Sequence, residues 1–458
     1  MDADVLIIGG GPAGLAAAMW ESRTSSRPRV RVLEAGPRIG GWVRSERRDG
    51  YLCEHGPQAI RASAEFTDFV SMLGIEEELV AASPESSTRW LGRRGRLRAV
   101  PTRPLPMLMS GLLSLRGKLR LLREPRVASQ SSADGGESVA GFCERRLGRE
   151  AVPLVQAMIG GVYAGDAQQL EVASALPILT QFEGEQGSVL RGIRARRQAK
   201  KSSAGPSSAQ QVFSFRDGIE GLVNRLAAAA PGQVELDAAV DSVAYDGGAW
   251  AAKMRDGSEH RAPRLIMACP ARVSARLLAA VAPALSAELA EIPFASLASV
   301  YLGMPMTTLP SKLSGFGFLL ETEPGNPVLG AIYASQLFPD HAPPGHQLVR
   351  VMMGGSLHPS AVDCEDTDLI DSAVAAMRRY VGLDVAPTFT HVVRARQAIP
   401  QFELGHKQRM HRITDMLGQF PGLRLCGNSY HNVALTAQLS RRAGLQSSAT
   451  NCSEEVAR

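Results

Sequence analysis

The stretch that decides the fold is Asp4-Val5-Leu6-Ile7-Ile8-Gly9-Gly10-Gly11-Pro12-Ala13-Gly14-Leu15-Ala16-Ala17-Ala18-Met19-Trp20. The apolar run through Ile8 reads as a short buried parallel strand. Gly9, Gly11 and Gly14 fit G-x-G-x-x-G. The first glycine permits a tight turn, the second lets the backbone approach a pyrophosphate, and the third lets helix and strand pack closely. A helix starts at Leu15 and runs to Glu21, and its N-terminus offers unpaired N–H groups and positive dipole to phosphate. Val30–Leu33 is a second strand, closed by Glu34, whose carboxylate stands where ribose hydroxyls are bound. Strand, glycine turn, helix, strand and acid together predict a dinucleotide-binding βαβ unit.

Outward from this unit, the bulk numbers are those of a globular protein. The chain has 458 residues, 45% of them hydrophobic and 21% charged, which is enough for more than one folding unit. The net charge is +5, but the cations are clustered: eleven basic residues lie between Arg89 and Arg126, against the single acid Glu124. A second basic run covers Arg191, Arg194, Arg196, Arg197, Lys200 and Lys201. Such runs suit anionic lipid or an acidic substrate, and nucleic acid is not expected as a partner. None of the six cysteines forms C-x-x-C, and no His/Cys pair has zinc spacing, so reduced thiols and no bound metal are expected. No run of 18 apolar residues is present to span a membrane, and no signal peptide is expected before the first strand.

Further along, residues 66–81 read as helix. Residues 104–122 (PLPMLMSGLLSLRGKLRLL) mix leucines and methionines with spaced cations, a pattern shared by core helices and interfacial amphipathic ones. Polar breaks cover 128–137 and 198–211, the latter expected as a loop. Strands dominate 233–267 and 294–356, and a helix covers 366–381. Residues 422–428 (GLRLCGN) read as a late strand running into a glycine turn. The early βαβ unit and the late strand predict one nucleotide domain assembled from distant segments.

Arg38-Ile39-Gly40-Gly41-Trp42 and Glu54-His55-Gly56-Pro57 follow the βαβ unit. This ordered combination resembles the superfamily of FAD-containing amine oxidases, phytoene desaturases and protoporphyrinogen oxidases. The segments 40–45 (GGWVRS), 54–61 (EHGPQAIR), 160–166 (GGVYAGD), 217–222 (DGIEGL), 314–319 (SGFGFL), 351–356 (VMMGGS) and 399–406 (IPQFELGH) resemble, in order, the oxygen-dependent protoporphyrinogen oxidase family. The resemblance implies an α/β fold: a discontinuous Rossmann-like FAD-binding domain (1–88, 208–290 and 388–458), a strand-rich substrate-binding domain (291–387), and a helical membrane-associating insertion (89–207).

It further implies that FAD is held by Gly9, Gly10, Gly11, Pro12, Ala13, Gly14, Glu34, Ala35, Arg38, Gly41, Trp42, Gly56, Pro57, Gln58 and Ala59. The backbone of Val240 would meet the adenine, and Asn428, Val433, Ala434 and Leu435 would lie against the flavin. Arg89 would pair with a substrate propionate. Met158, Gly161, Phe316, Leu319 and Met352 would wall a flat, apolar slot. No side chain is expected as a general base: His55 and His406 are set aside, because the flavin carries the chemistry. The implied reaction takes protoporphyrinogen IX to protoporphyrin IX in three two-electron rounds, with O2 as acceptor and hydrogen peroxide released. Implied partners are the tetrapyrrole, O2, an anionic membrane surface, a second copy of the chain and ferrochelatase. The implied location is the cytoplasm or the cytoplasmic membrane surface of a bacterium, or the mitochondrial inner membrane of a eukaryote.

The chain departs from that family near its end. Where the family reads G-x-x-Y-x-G-V-x-x-N-D-C, this sequence has Asn432 for the second glycine and Thr436-Ala437 for Asn-Asp. Thr436 remains able to cap the helix that follows. Two alternatives stay open at this point: oxidation of coproporphyrinogen to coproporphyrin, and a non-catalytic FAD- or porphyrin-binding chain.

Overall fold

The computed structural model describes residues 2–24, 26–101, 110–130, 136–202, 211–230, 233–306, 314–383, 386–430, 432–441 and 445. Part of the expected breaks at 128–137 and 198–211, and residues 104–109 of the 104–122 stretch, therefore fall outside the described residues.

Val5–Ile8 forms the centre of a five-stranded sheet in the order Gln233–Glu235, Val30–Leu33, Val5–Ile8, Arg264–Met267, Leu423–Leu425, and every pairing is parallel. All four residues of the central strand are buried, as expected for a parallel sheet covered on both faces. Helix Pro12–Ser22 packs on one face with Val223 and Leu226 of helix Glu220–Ala229. A three-stranded antiparallel meander, Val240–Tyr245, Trp250–Met254 and Glu259–Ala262, covers the other face with helices Ala271–Leu278 and Pro283–Ala290. The late strand thus joins the early one, and the sheet is assembled from four distant parts of the chain.

A second, seven-stranded sheet has the order Phe389–Pro400, Phe294–Pro305, His346–Gly354, Val328–Ile332, Gly317–Leu320, Arg89–Arg93, Arg96–Ala99. It is antiparallel except where Gly317–Leu320 runs parallel to Arg89–Arg93. Sheet pairing therefore crosses two expected boundaries. Residues 89–99 are a hairpin of this sheet and not part of a helical insertion, and 389–400 is its edge strand and not part of the nucleotide sheet. Both strands read ambiguously in sequence, because cations interrupt their apolar alternation and only cross-strand partners settle their place. Helix Asp366–Val381 covers one face of this sheet. Asp366 and Asp368 lie in its first turn, Arg378 and Arg379 in its last, and left-handed Gly382 (φ 78°) ends it, each placement complementing the helix dipole or its terminus.

Two local expectations change. The helix expected over 66–81 is Ala64–Leu73, capped by the Ser63 hydroxyl, which accepts from Phe66 N at 3.1 Å, and stopped by left-handed Gly74 (φ 65°). Leu79–Ala81 is instead a strand. The polar break expected from 198 begins later, because helix Val189–Ser202 runs into it.

The intervening helices, Leu115–Leu122, Val139–Leu147, Val152–Tyr163, Val172–Ala175, Pro177–Gln186 and Val189–Ser202, enclose their own core around Phe142, Ile159, Tyr163, Leu170 and Phe402. The lone acid of the basic stretch is the hinge of this packing. Glu124, fully buried, forms an ion pair with buried Arg146 and accepts from Val189 N (2.9 Å) and Leu190 N (3.2 Å), neutralising the start of the last helix.

Candidate active site

The glycine turn is closed on its inner side and open on its outer side. A Cβ at Gly9 would come within 2.7 Å of Ala268 O, and one at Gly14 within 1.9 Å of Gly9 O, whereas one at Gly11 would meet nothing within 4 Å. Gly11 is also the N-cap of helix Pro12–Ser22 and brings no side-chain cap, so the helix terminus faces that open side bare. The Glu34 carboxylate stands at the rim, accepting from Gly10 N (2.7 Å) and Gly36 N (2.9 Å), with Ala35 exposed beside it. This cradle fits the diphosphate and ribose of FAD: space, bare N–H groups and an acid lie in the places each needs.

Two further expected segments converge on the turn. Gly40 N donates to Gly10 O at 2.8 Å, and a Cβ at Gly41 would lie 3.6 Å from Gly11 Cα. The Arg38 guanidinium shapes this loop by donating to the carbonyls of Ile39 (2.9 Å) and Gly41 (2.6 Å). Gly56 presses on Trp42, whose carbonyl oxygen would sit 2.6 Å from an added Cβ, while Trp42 itself remains 39% exposed. Pro57 and Ala59 flank Gln58, which is buried, and its Oε1 has no hydrogen-bond partner among the described residues. Asp237 N and Ala238 N donate to Gly36 O (2.9 Å) and Glu34 O (2.8 Å), which brings the chain to Val240 past the same rim.

In the C-terminal segment the capping differs from the sequence expectation. Asn428 is half-buried, and its Nδ2 donates to Ala398 O at 3.5 Å. Leu435 packs into the core around helix Pro12–Ser22, and Val433 against the helical cluster with Phe402. The closing helix spans only Leu435–Gln438, and its N-cap is Ala434, without a side-chain cap. Thr436 lies inside the first turn and does not cap. The substituted Asn432 shapes the entry, its Oδ1 accepting from Ala434 N at 2.9 Å in a local turn of the kind short amide side chains make.

The expected substrate residues gather on one face of the seven-stranded sheet, and register shows why. Leu91, Leu319, Gly330, Met352 and Ser299 form one cross-strand row, and Arg89, Gly317, Ile332, Arg350 and Tyr301 the next. Residues of a row share a face. The opposite face carries Val300, Phe318, Val351 and Met353 into the core under helix Asp366–Val381. Helix Val152–Tyr163 lies over the open face: Ala157 packs with Leu91 and Leu112, and a Cβ at Gly161 would be 2.4 Å from Leu319 Cδ2. Met158 sits one turn earlier on that helix and is exposed. Arg89 is exposed overall, but its guanidinium lies 5.0 Å over the Phe316 ring. Desolvation there, and secondarily the charge of Arg61, hold it below the ordinary arginine value.

Two residues near this face escaped sequence reading, one on it and one on a neighbouring sheet. Arg350 is buried and ties the sheet to the Gly56 turn, donating to Gly56 O at 2.8 Å and Ser299 Oγ at 3.1 Å. A cation in the middle of an apolar strand was the signal for it. Arg61 is brought near Arg89 only by the fold. The two set-aside histidines hold structural contacts. His406 stacks on Phe402 with its Nε2 2.8 Å from Tyr430 O, and His55 Nε2 lies 2.9 Å from Glu46 Oε2.

Comparison with known proteins agrees with this geometry. The family of flavin containing amine oxidoreductases matches residues 12–447. Protoporphyrinogen oxidase of Bos taurus is 33% identical, covering 95% of this chain and 96% of its own length. Coproporphyrinogen III oxidase of Bacillus subtilis is 28% identical, with 94% of each chain covered. A solved structure from Exiguobacterium, provisionally named a protoporphyrinogen oxidase, superimposes with a TM-score of 0.81 at 23% identity over 99% of both chains, a likeness of fold. The chain therefore belongs to the flavin-containing amine oxidoreductases, as a flavoprotein enzyme with FAD as its cofactor and porphyrinogen oxidases among its relatives.

Proposed function

We propose that the chain oxidises protoporphyrinogen IX to protoporphyrin IX with O2 as terminal acceptor. The observation that carries this reading is the sheet face on which Arg89, Leu319 and Met352 stand together under Gly161. It makes a flat apolar slot with a guanidinium at its rim, suited to a macrocycle with carboxylate arms. Arg89 orients the ring through one arm, its stacking on Phe316 fixing the guanidinium plane. Leu319, Met352 and Met158 exclude water, and Gly161 and Gly330 keep the walls flat. Bound FAD supplies a two-electron acceptor, used three times for six electrons, with hydrogen peroxide released. Arg38, Trp42 and the glycines at 9, 11, 14 and 56 would hold it.

Arg61 beside Arg89 favours a second reading, because a paired cation suits the more carboxylated coproporphyrinogen, the substrate in the name of the Bacillus relative. The test is to give the FAD-loaded protein each porphyrinogen and follow porphyrin fluorescence and peroxide. Faster protoporphyrin formation is expected. Faster coproporphyrin formation selects the second reading, and no porphyrin from either reduces the chain to a binding protein.

The same proposal includes peripheral membrane contact. Helix Leu115–Leu122 exposes Leu115 (75%), Leu119 (49%) and Leu122 (52%) beside Arg116, Lys118 and Arg123. That is an apolar stripe edged by cations, as an anionic bilayer surface requires. Among the described residues no helix is long and apolar enough to cross a membrane. We place the protein at the cytoplasmic or inner mitochondrial membrane surface, and on resemblance alone carry forward a second copy and ferrochelatase as partners.

A further inference from the structure

Away from the slot, three side chains from separate segments point at one spot. Glu46 lies on strand Ser45–Arg48, and His55 follows the partner strand Tyr51–Glu54, its N–H donating to Arg44 O at 2.8 Å across the hairpin. His391 comes from the edge strand Phe389–Pro400 and pairs in register with Tyr301. The two parts meet where the Tyr301 hydroxyl donates to Glu54 O at 2.5 Å. His55 Nε2 is 2.9 Å and His391 Nε2 3.8 Å from Glu46 Oε2, and the three ligand atoms lie within 4.8 Å of one another. Tetrahedral zinc with bonds of about 2.0–2.1 Å separates its ligand atoms by about 3.3 Å, so small rotations bring all three into place.

Two features make this more than an ion pair. First, His391 Nε2 is buried and has no hydrogen-bond partner among the described residues, an uncommon state for an imidazole nitrogen whose side chain is 14% exposed. Second, the two carboxylate oxygens of Glu46 are divided: Arg48 Nε holds Oε1 at 2.5 Å, leaving Oε2 turned to both rings, as an outer-sphere partner orients a monodentate ligand.

We propose that Glu46, His55 and His391 bind one borderline divalent transition ion of the zinc class, with water in the fourth position. Imidazole and carboxylate are the ligand set such an ion accepts. The ion joins the hairpin that precedes the Gly56 turn to the edge of the second sheet and acts as a strut between them. His391 and Arg89 lie at opposite ends of one cross-strand row, five strand spacings or about 24 Å apart, so this site lies away from the Arg89 rim of the proposed slot. Arg44, whose Nη2 is 3.7 Å from Oε2, and Arg48 add positive charge beside the ion, so binding is expected to be weaker than at a structural zinc site and reversed by chelators.

The test uses the full, FAD-loaded chain, stripped with chelator and titrated with zinc chloride at neutral pH by calorimetry, with metal content measured after gel filtration. One zinc per chain is expected, with an increase in Tm that chelator reverses. His391→Ala and Glu46→Gln should each weaken binding at least about tenfold while flavin absorbance and the metal-free Tm stay at wild-type values. If His391→Ala loses flavin or metal-free stability, His391→Gln takes its place. Absence of stoichiometric zinc on the wild-type protein, or wild-type affinity in either variant, overturns the proposal.

Discussion

Gly161 of helix Val152–Tyr163 packs on Leu319 of the second sheet so closely that a single added methyl would sit 2.4 Å from Leu319 Cδ2. This contact would bound the proposed substrate slot, because Leu319 stands in the same cross-strand row as Met352. Alanine in a helix interior is favoured over glycine by about 1 kcal/mol, but here the methyl must push Leu319 into another rotamer. Gly161→Ala is expected to leave Tm within a few degrees of wild type and to raise KM for the porphyrinogen, with Gly161→Val worse. Steady-state kinetics beside a melting curve checks it, and an unchanged KM in both variants would show that the helix does not bound the substrate.

Arg89 is expected to act on substrate affinity alone. A charge-assisted hydrogen bond is worth about 1.5–3 kcal/mol, so Arg89→Ala should raise KM roughly tenfold or more with flavin content unchanged. Arg89→Lys should recover part of this, since it restores charge without the planar fork or the stacking on Phe316. Wild-type KM and kcat in Arg89→Ala would make it a surface residue.

Membrane contact is expected to depend on Leu115, Leu119 and Leu122, whereas Leu112 and Leu113, equally apolar in the sequence, are buried and belong to the packed interior. The protein should float with anionic vesicles and less so as salt rises. Replacing the three exposed leucines by serine should abolish flotation without lowering Tm. Flotation that survives the triple change would move the contact elsewhere.

Glu54 should make stability pH-dependent. It is fully buried, with the Ser45 hydroxyl (2.7 Å) and Ile219 N (2.9 Å) donating to its carboxylate, and desolvation still pushes it up from 4.5 to about 7. The folded state therefore holds its proton more tightly than the unfolded chain. The stability contributed by protonated Glu54 is complete below about pH 4.5 and is lost as pH rises through about 7. A shift of this size corresponds to on the order of 3 kcal/mol. The Tm of Glu54→Gln relative to wild type should therefore rise between acid and mildly alkaline pH, and a pH-independent difference would show that Glu54 titrates normally.

Local rules carried the reading furthest where the physics is local. The strand–glycine–helix unit at 5–22, the acid at 34 and the helix at 366–381 depend on apolar runs, φ-permissive glycines and capping charges that neighbours in sequence supply. Residues 66–81 failed as one helix because Gly74 adopts a left-handed conformation, and the hairpin at 89–99 was misassigned because its alternation is broken by cations. Glu46, His55 and His391 had no motif to announce them, since their meeting depends on a hairpin docking against a strand more than three hundred residues away.

By itself the sequence determined the dinucleotide-binding turn and the α/β class, because these rest on backbone geometry that a few adjacent residue types impose, while the ordered motifs from Gly40 to His406 carried the resemblance to a flavoprotein family. Only the tertiary structure decided which strands share a sheet, which leucines meet solvent and which cations stand together. Strand register puts Arg89, Leu319 and Met352 on one face, and burial separates Leu112 from Leu115 although both are leucines in one basic stretch. Those outcomes come from non-local pairing and packing, whose energy depends on partners the sequence brings near only after the chain has folded.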